Sequence, residues 1–166
     1  MDVTAFWELI EQSRREGRYC EEQAAALVAR LEDMELAEVV SFQQHLWARM
    51  QEAYRSDLWA VAYIVNSGCS DDGFTDFRGW LIAQGREFFG QALRTPERVG
   101  DRVGQSGEAA CFDIVCAGEE VYRARTGGRD MPGPTEPMRL RGEWFDETDL
   151  PRRYPELWRR FGADAG

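Results

Sequence analysis

The sequence contains no lysine, so all 20 of its basic residues are arginine. A chain without lysine cannot form a Schiff base with a carbonyl substrate, cannot attach pyridoxal phosphate and lacks the lysine of a Walker-type phosphate loop. These absences exclude several classes of cofactor-dependent enzyme. We predict that the protein uses no cofactor.

Histidine is almost as scarce, because His45 is the only one. A single imidazole cannot build a cluster of histidine metal ligands, and no G-x-S-x-G motif supplies a serine nucleophile for His45 to activate. His45 could act as a general base, since the unperturbed pKa of histidine is about 6.5. It is also explained as an ordinary, half-exposed residue of a helix.

The sequence also lacks any C-x-x-C pair. The spacing of Cys20, Cys69, Cys111 and Cys116 fits no structural zinc site. The N-terminal residues MDVTAFWELIEQ have neither the cationic start nor the apolar core of a signal peptide. We therefore predict a cytoplasmic protein with four reduced, buried thiols.

Long apolar runs are missing as well. No run of about 18 apolar residues is present, which predicts no membrane span. The net charge is −10, and a field of that sign repels nucleic-acid backbones and anionic lipid surfaces. We therefore expect neither nucleic acid nor membrane as a partner, and predict a basic protein partner or a small anionic ligand.

The patterns that are present indicate an all-α fold. Strand signals are weak, whereas apolar residues recur at helical spacing and predict helices over 2–16, 21–32, 35–55 and 108–125. The length suits one domain of about six to eight helices, spanning residues 1–166. Its Gly- and Pro-rich part, 126–149, is predicted to be irregular, and the C-terminal arginine and aromatic segment is expected to dock on the domain.

Residues 57–93 are predicted to form a buried helical hairpin at the centre of this fold. The stretch 58–65 is apolar nearly all round, as in a helix that lies in a protein interior. Asp57 is expected to cap this first helix. Ser70 or Asp72 is expected to cap the second one, because side-chain oxygens there can accept the first free backbone N–H groups.

The same turn could instead belong to a binding or active site. Adjacent aspartates can bind a cation, and a nearby arginine can clamp an anionic group. An EF-hand is excluded, because the register of its loop places Gly68 and Gly79 where oxygen ligands are required. Helix capping alone also explains the carboxylates, so both interpretations stay open. The candidate site consists of Asp71, Asp72, Arg78, Trp80 and Arg86.

Three stretches carry a resemblance to a known family: FWELI, DLWAVAYIVNSGCSDDGFTDFRGWLIAQGRE and DETDLPRRYPELWRRF. They resemble a bacterial family catalogued as a domain of unknown function, whose members share the pattern GCSDDxFxxFRxWLIxxG. Some members resemble regulators that carry a WGR-type module, although this chain shows no such module. The resemblance draws attention to the five candidate residues and implies no particular reaction.

Two classes of function therefore remain. The first is a small acidic binding or regulatory protein, acting in stress response or in conflict between bacteria, and it is the one we prefer. The second is a small metal-assisted hydrolase or phosphate-handling enzyme that would use Asp71 and Asp72 together with Arg78 or Arg86.

Overall fold

The computed structural model describes residues 1–162 and is all-α, as predicted. Its helices of nine residues or more are α1 (Val3–Glu16), α2 (Cys20–Glu32), α3 (Leu36–Glu52), α4 (Ser56–Val65), α5 (Asp71–Ala83), α6 (Arg86–Arg94) and α7 (Phe112–Arg125). Two shorter helices follow, α8 (Leu150–Arg153) and α9 (Pro155–Phe161). Short 3-10 helices cover Pro96–Asp101 and Glu147–Asp149.

Side-chain caps set the start of two helices, and the one at Ser70 is one of the two alternatives predicted for α5. The Asp2 carboxylate accepts hydrogen bonds from the backbone N–H groups of Thr4 and Ala5, both at 2.9 Å, at the start of α1. The Ser70 hydroxyl accepts from the Gly73 N–H at 3.2 Å at the start of α5. Each cap satisfies a donor that the helix itself leaves free.

The predicted cap of α4 was wrong. Asp57 lies inside the first turn of this helix, which begins at Ser56. The reason is a contact with a distant segment: the Ser56 N–H donates to the Arg141 carbonyl at 2.9 Å. Asp57 instead pairs with Arg55, whose Nε donates to the carboxylate at 3.0 Å.

Two other helix limits differ from the sequence pattern. Gly85, at φ +92°, separates α5 from α6, so the apolar pattern that follows Ser70 is divided between two helices. The helix predicted over 108–125 begins only at Phe112. Cys111 is not helical, and its N–H donates to the Asp76 carbonyl of α5 at 2.9 Å.

The interior position predicted for α4 is confirmed, since eight of its ten residues are buried. It packs against α5, the Pro96–Asp101 turn and α9, while α7 packs against α2, α3 and α5. The C-terminal segment docks as expected, with Leu150, Tyr154, Leu157 and Phe161 buried. Over the part of the chain that the structure describes, no helix combines the length and apolarity needed to cross a membrane.

The prediction of four reduced thiols was wrong. Cys20 and Cys111, 91 positions apart, form a disulfide that joins the first residue of α2 to the residue before α7. Cys69 and Cys116 are free. Burial raises the pKa of the Cys69 thiol to about 12 and also raises the pKa of Cys116. Both thiols are therefore poor nucleophiles at neutral pH.

Candidate functional site

The first turn of α5 carries the paired carboxylates. Asp71 and Asp72 are exposed and follow the Ser70 cap directly, where the positive end of the helix dipole favours negative charge. Among residues 1–162, no group of three or more His, Cys, Asp or Glu side chains is placed to hold a metal ion. The surroundings of the pair thus match helix capping.

Arg78 lies one to two turns further along α5 and is buried, with 5% of its surface exposed. Its guanidinium donates to the carbonyls of Phe74 and Met50, at 3.2 and 3.0 Å, and to the Thr75 hydroxyl at 3.1 Å. It also lies 4.5 Å from the centre of the Tyr54 ring, a cation–π distance. These contacts join α5 to the end of α3.

The charge of Arg78 has no counter-ion, since no carboxylate within residues 1–162 comes within ion-pair distance of it. Buried charges are normally paired. Burial without a carboxylate lowers the pKa of Arg78 to about 10, which still leaves the guanidinium charged at neutral pH. Arg78 therefore places a positive charge inside an acidic protein.

The two remaining candidates lie apart from the carboxylates. Trp80 is half-buried, stacks on Phe77 and meets Phe88 edge-on. Arg86 is exposed at the start of α6, and its backbone N–H donates to the Glu11 carboxylate of α1 at 3.2 Å. A joint site of all five residues stays a prediction: the structure brings Asp71 and Asp72 together and gives the other three separate surroundings.

A groove that was not predicted from the sequence lies between α3 and residues 132–141, in the region predicted to be irregular. Its volume is about 690 Å³, and one wall is the α3 face that carries Gln44, Trp47, Ala48 and Gln51. These positions have the spacing of one helix face, which is the signal that could have drawn attention to them. Residues 132–141 form the opposite wall.

A second feature surrounds the disulfide. Tyr19 precedes Cys20 and Phe112 follows Cys111, and these two aromatic side chains are 62% and 53% exposed. The Cα atoms of the two cysteines are 5.4 Å apart. The two exposed aromatic residues are therefore attached to neighbouring points of the backbone, one on each side of the cross-link.

Several carboxylates lie at the same helix ends or on the segment of α5 that meets them. Glu21 and Asp113 lie in the first turns of α2 and α7, and Asp76 faces the start of α7 through its backbone bond to Cys111. Burial raises the pKa of Asp76, and the negative charges of Asp72 and Asp113 raise it further. We call this surface the disulfide face; it consists of Tyr19, Phe112, Glu21, Asp72, Asp76 and Asp113.

The family described as Protein of unknown function (DUF4240) matches residues 1–124. The chain belongs to this family. No curated protein and no solved structure matches the sequence of this chain.

The disulfide face and the groove lie differently with respect to the part of the chain that matches the DUF4240 family. The disulfide face lies wholly within residues 1–124. The groove combines α3 of the matched region with residues 132–141, which follow it. The five residues predicted from the central motif all lie inside the match.

Burial of Asp76, together with charge repulsion from Asp72 and Asp113, predicts a measurable pH effect. Because the pKa of Asp76 is raised above its ordinary value of 3.8 in the folded state, the folded protein binds this proton more tightly than the unfolded chain. Protonation therefore favours folding at low pH, and this contribution is lost as the pH rises through the raised pKa. Asp76→Asn should stabilise the protein at pH 7 by about 0.2–0.5 kcal/mol, the usual size of an i, i+4 like-charge repulsion.

Urea denaturation at pH 7 and near pH 4 measures this difference. The gain from Asp76→Asn should shrink at the lower pH, and it should also shrink in a background that carries Asp72→Asn. Asp71→Asn is the matched control on the same helix and should not stabilise, because it removes a charge that the helix end favours. A gain from Asp76→Asn that is equal at both pH values would contradict the assignment.

Proposed function

We propose that this protein is a binding or regulatory protein whose disulfide face docks a basic protein partner. The observation that carries the proposal is that two exposed aromatic residues, Tyr19 and Phe112, each lie next to a cysteine of the covalent link between Cys20 and Cys111. Exposed aromatic residues with a polar rim are a common feature of protein interfaces.

The chemistry of the partner follows from the charge of this face. None of the carboxylates of Glu21, Asp72, Asp76 and Asp113 forms an ion pair with an arginine among residues 1–162. Arginine side chains of a partner could pair with these carboxylates and stack on the two aromatic rings. The Arg18 guanidinium already lies 5.6 Å from the centre of the Tyr19 ring, so the ring is accessible to a cation.

Rigidity supports the same proposal. Tyr19 and Phe112 stand at the N-terminal ends of α2 and α7, which pack against each other and are cross-linked there. A surface that is already ordered loses little conformational entropy when it binds. Nucleic acid is a poor partner for it, because the net charge is −10.

The cellular setting belongs to the proposal as well. A role in stress response or in conflict between bacteria suits a small acidic binding protein of this family. A cytoplasmic location stays a prediction, and the disulfide weighs against it, since lasting disulfides are more usual in oxidising compartments.

Site-specific photo-crosslinking in cells tests the proposed function. A photoreactive phenylalanine analogue at position 112 should cross-link to a basic protein, whereas the same analogue at position 144 should not. Trp144 is the matched position, because it is 60% exposed and lies outside the disulfide face. The purified partner should then bind this protein in calorimetry, and Phe112→Ser should raise the Kd of the complex by about tenfold or more.

Charge variants supply the second control. The pair Asp72→Asn with Asp113→Asn should slow association and reduce its dependence on salt. The pair Glu32→Gln with Asp33→Asn changes the net charge equally at the exposed end of α2 and should have a smaller effect. Equal effects of both pairs, or an affinity unchanged by Phe112→Ser, would refute docking at this face.

A further inference from the structure

We propose that the groove between α3 and residues 132–141 binds a small aromatic anion, that is, a planar ring carrying a carboxylate or a phosphate. This site is distinct from the disulfide face and would serve a ligand rather than a protein. Its volume of about 690 Å³ lies in the range of sites for small molecules, roughly 300–1,000 Å³.

The wall opposite α3 is fixed in place although it has no regular secondary structure. The Gln51 side chain forms a reciprocal pair of hydrogen bonds with the backbone N–H and carbonyl of Arg139, both at 2.8 Å. Two residues on, the Arg141 N–H donates to the Tyr54 carbonyl at 3.0 Å. A site with anchored walls binds with less loss of conformational entropy than one that must first become ordered.

The cations of the groove determine the charge of its ligand. Arg139 and Arg141 both line it and are exposed. Arg139 reaches Glu136 only at 4.0 Å, with both side chains 80% exposed, so that this pair is weak. Arg141 forms no ion pair with any residue in the range 1–162. The groove therefore has an excess of positive charge on a protein whose net charge is −10.

Arg78 adds a third positive charge from behind this wall. Its Nη1 donates to the sulfur of Met138 at 3.4 Å, and Met138 lines the groove. The guanidinium is buried and forms no ion pair, so its charge adds to that of Arg139 and Arg141 and outweighs the single carboxylate of the groove, Glu136. An anion bound in the groove would supply the missing counter-charge.

The remaining lining favours a planar ring. The half-buried Trp47 indole faces several prolines of the opposite wall, between Pro132 and Pro137. An aromatic ring can lie flat between such surfaces, and stacking on an indole adds to the burial of apolar area. The Gln44 amide at the edge of the groove can donate or accept hydrogen bonds.

Two anions and their neutral analogues test the proposal. Indole-3-acetate represents an aromatic carboxylate and adenosine 5′-monophosphate an aromatic phosphate; indole-3-acetamide and adenosine have the same rings without the charge. At least one anion should bind saturably in calorimetry at concentrations up to about 5 mM, and its neutral analogue should bind about tenfold more weakly. The anion that binds shows which of the two groups the site accepts.

Variants of the wall locate the binding. Arg141→Gln and Trp47→Ser should each raise the Kd of the bound anion by about tenfold. Arg94 is an exposed arginine at the end of α6, and the control variant Arg94→Gln should change the Kd by less than twofold. Arg78→Met should raise the Kd of the anion, whereas Arg78→Lys, which keeps the charge, should raise it less. If both Arg78 variants unfold, the Arg141 and Trp47 variants still decide.

Chemical-shift mapping completes the test, because bound ligand should shift the Trp47 indole N–H first. Several results would overturn the proposal: no saturable binding of either anion, equal binding of the neutral analogues, or shifts that map away from α3. None of them bears on docking at the disulfide face, which uses other residues.

Discussion

Loss of the Cys20–Cys111 disulfide is expected to lower the free energy of unfolding by about 2–5 kcal/mol. The cross-link closes a loop with a sequence separation of 91 residues, and the chain-entropy model gives roughly 4.6 kcal/mol for a loop of that length. Serine would in addition place a hydroxyl group at Cys111, which is buried. Cys20→Ser, Cys111→Ser and their double variant should therefore all be strongly destabilised.

Urea denaturation with and without a reductant measures this effect. Reduction should destabilise the natural protein and should leave the double variant Cys20→Ser with Cys111→Ser unchanged. Cys69→Ser with Cys116→Ser is the control that keeps the disulfide and removes the two free thiols, and it should still respond to reductant. A thiol assay of the unfolded, unreduced protein should find two free thiols; four would disprove the pairing.

The parts of the fold that could be predicted from sequence are those set by local interactions. The Asp2 cap of α1, the Ser70 cap of α5 and the buried α4 all depend on residues close together in the chain. Helical spacing of apolar residues and side-chain caps report such interactions directly. The limits of α4 and α7 were missed because contacts with Arg141 and Asp76, far along the chain, determine them.

The disulfide also depends on a contact between residues that are far apart in the chain, and the sequence pattern does not report it. Four cysteines permit several pairings, and the spacing of Cys20 and Cys111 in the sequence contains no sign that the ends of α2 and α7 meet. The expected role of Arg78 depended on the same kind of information. Its position in the central motif does not show the contacts that its side chain makes with the end of α3 and with Met138, and its role as a clamp stays a prediction.

Gly79→Ala is the second substitution for which we expect a large effect, because α5 and the start of α7 are in close contact there. A Cβ atom at Gly79 would lie 2.3 Å from the Cys111 carbonyl oxygen and 2.7 Å from a methyl group of Val115. The carbonyl belongs to the backbone of a residue held by the disulfide, so it cannot move aside easily. We expect a loss of about 1–3 kcal/mol, the usual cost of overpacking.

Gly73→Ala is the matched control, because it makes the same change on the same helix without the same obstacle. The nearest atoms to a Cβ at Gly73 are the Ser70 oxygen at 3.4 Å and the Cys69 sulfur at 3.7 Å. Alanine favours a helix over glycine by up to about 1 kcal/mol, so Gly73→Ala should be neutral or stabilising. The midpoints of urea denaturation of the two variants should thus move in opposite directions. Equal midpoints would mean that α5 and α7 do not meet at Gly79, and the position of the Cys111 carbonyl, and with it the disulfide face, would then have to be revised.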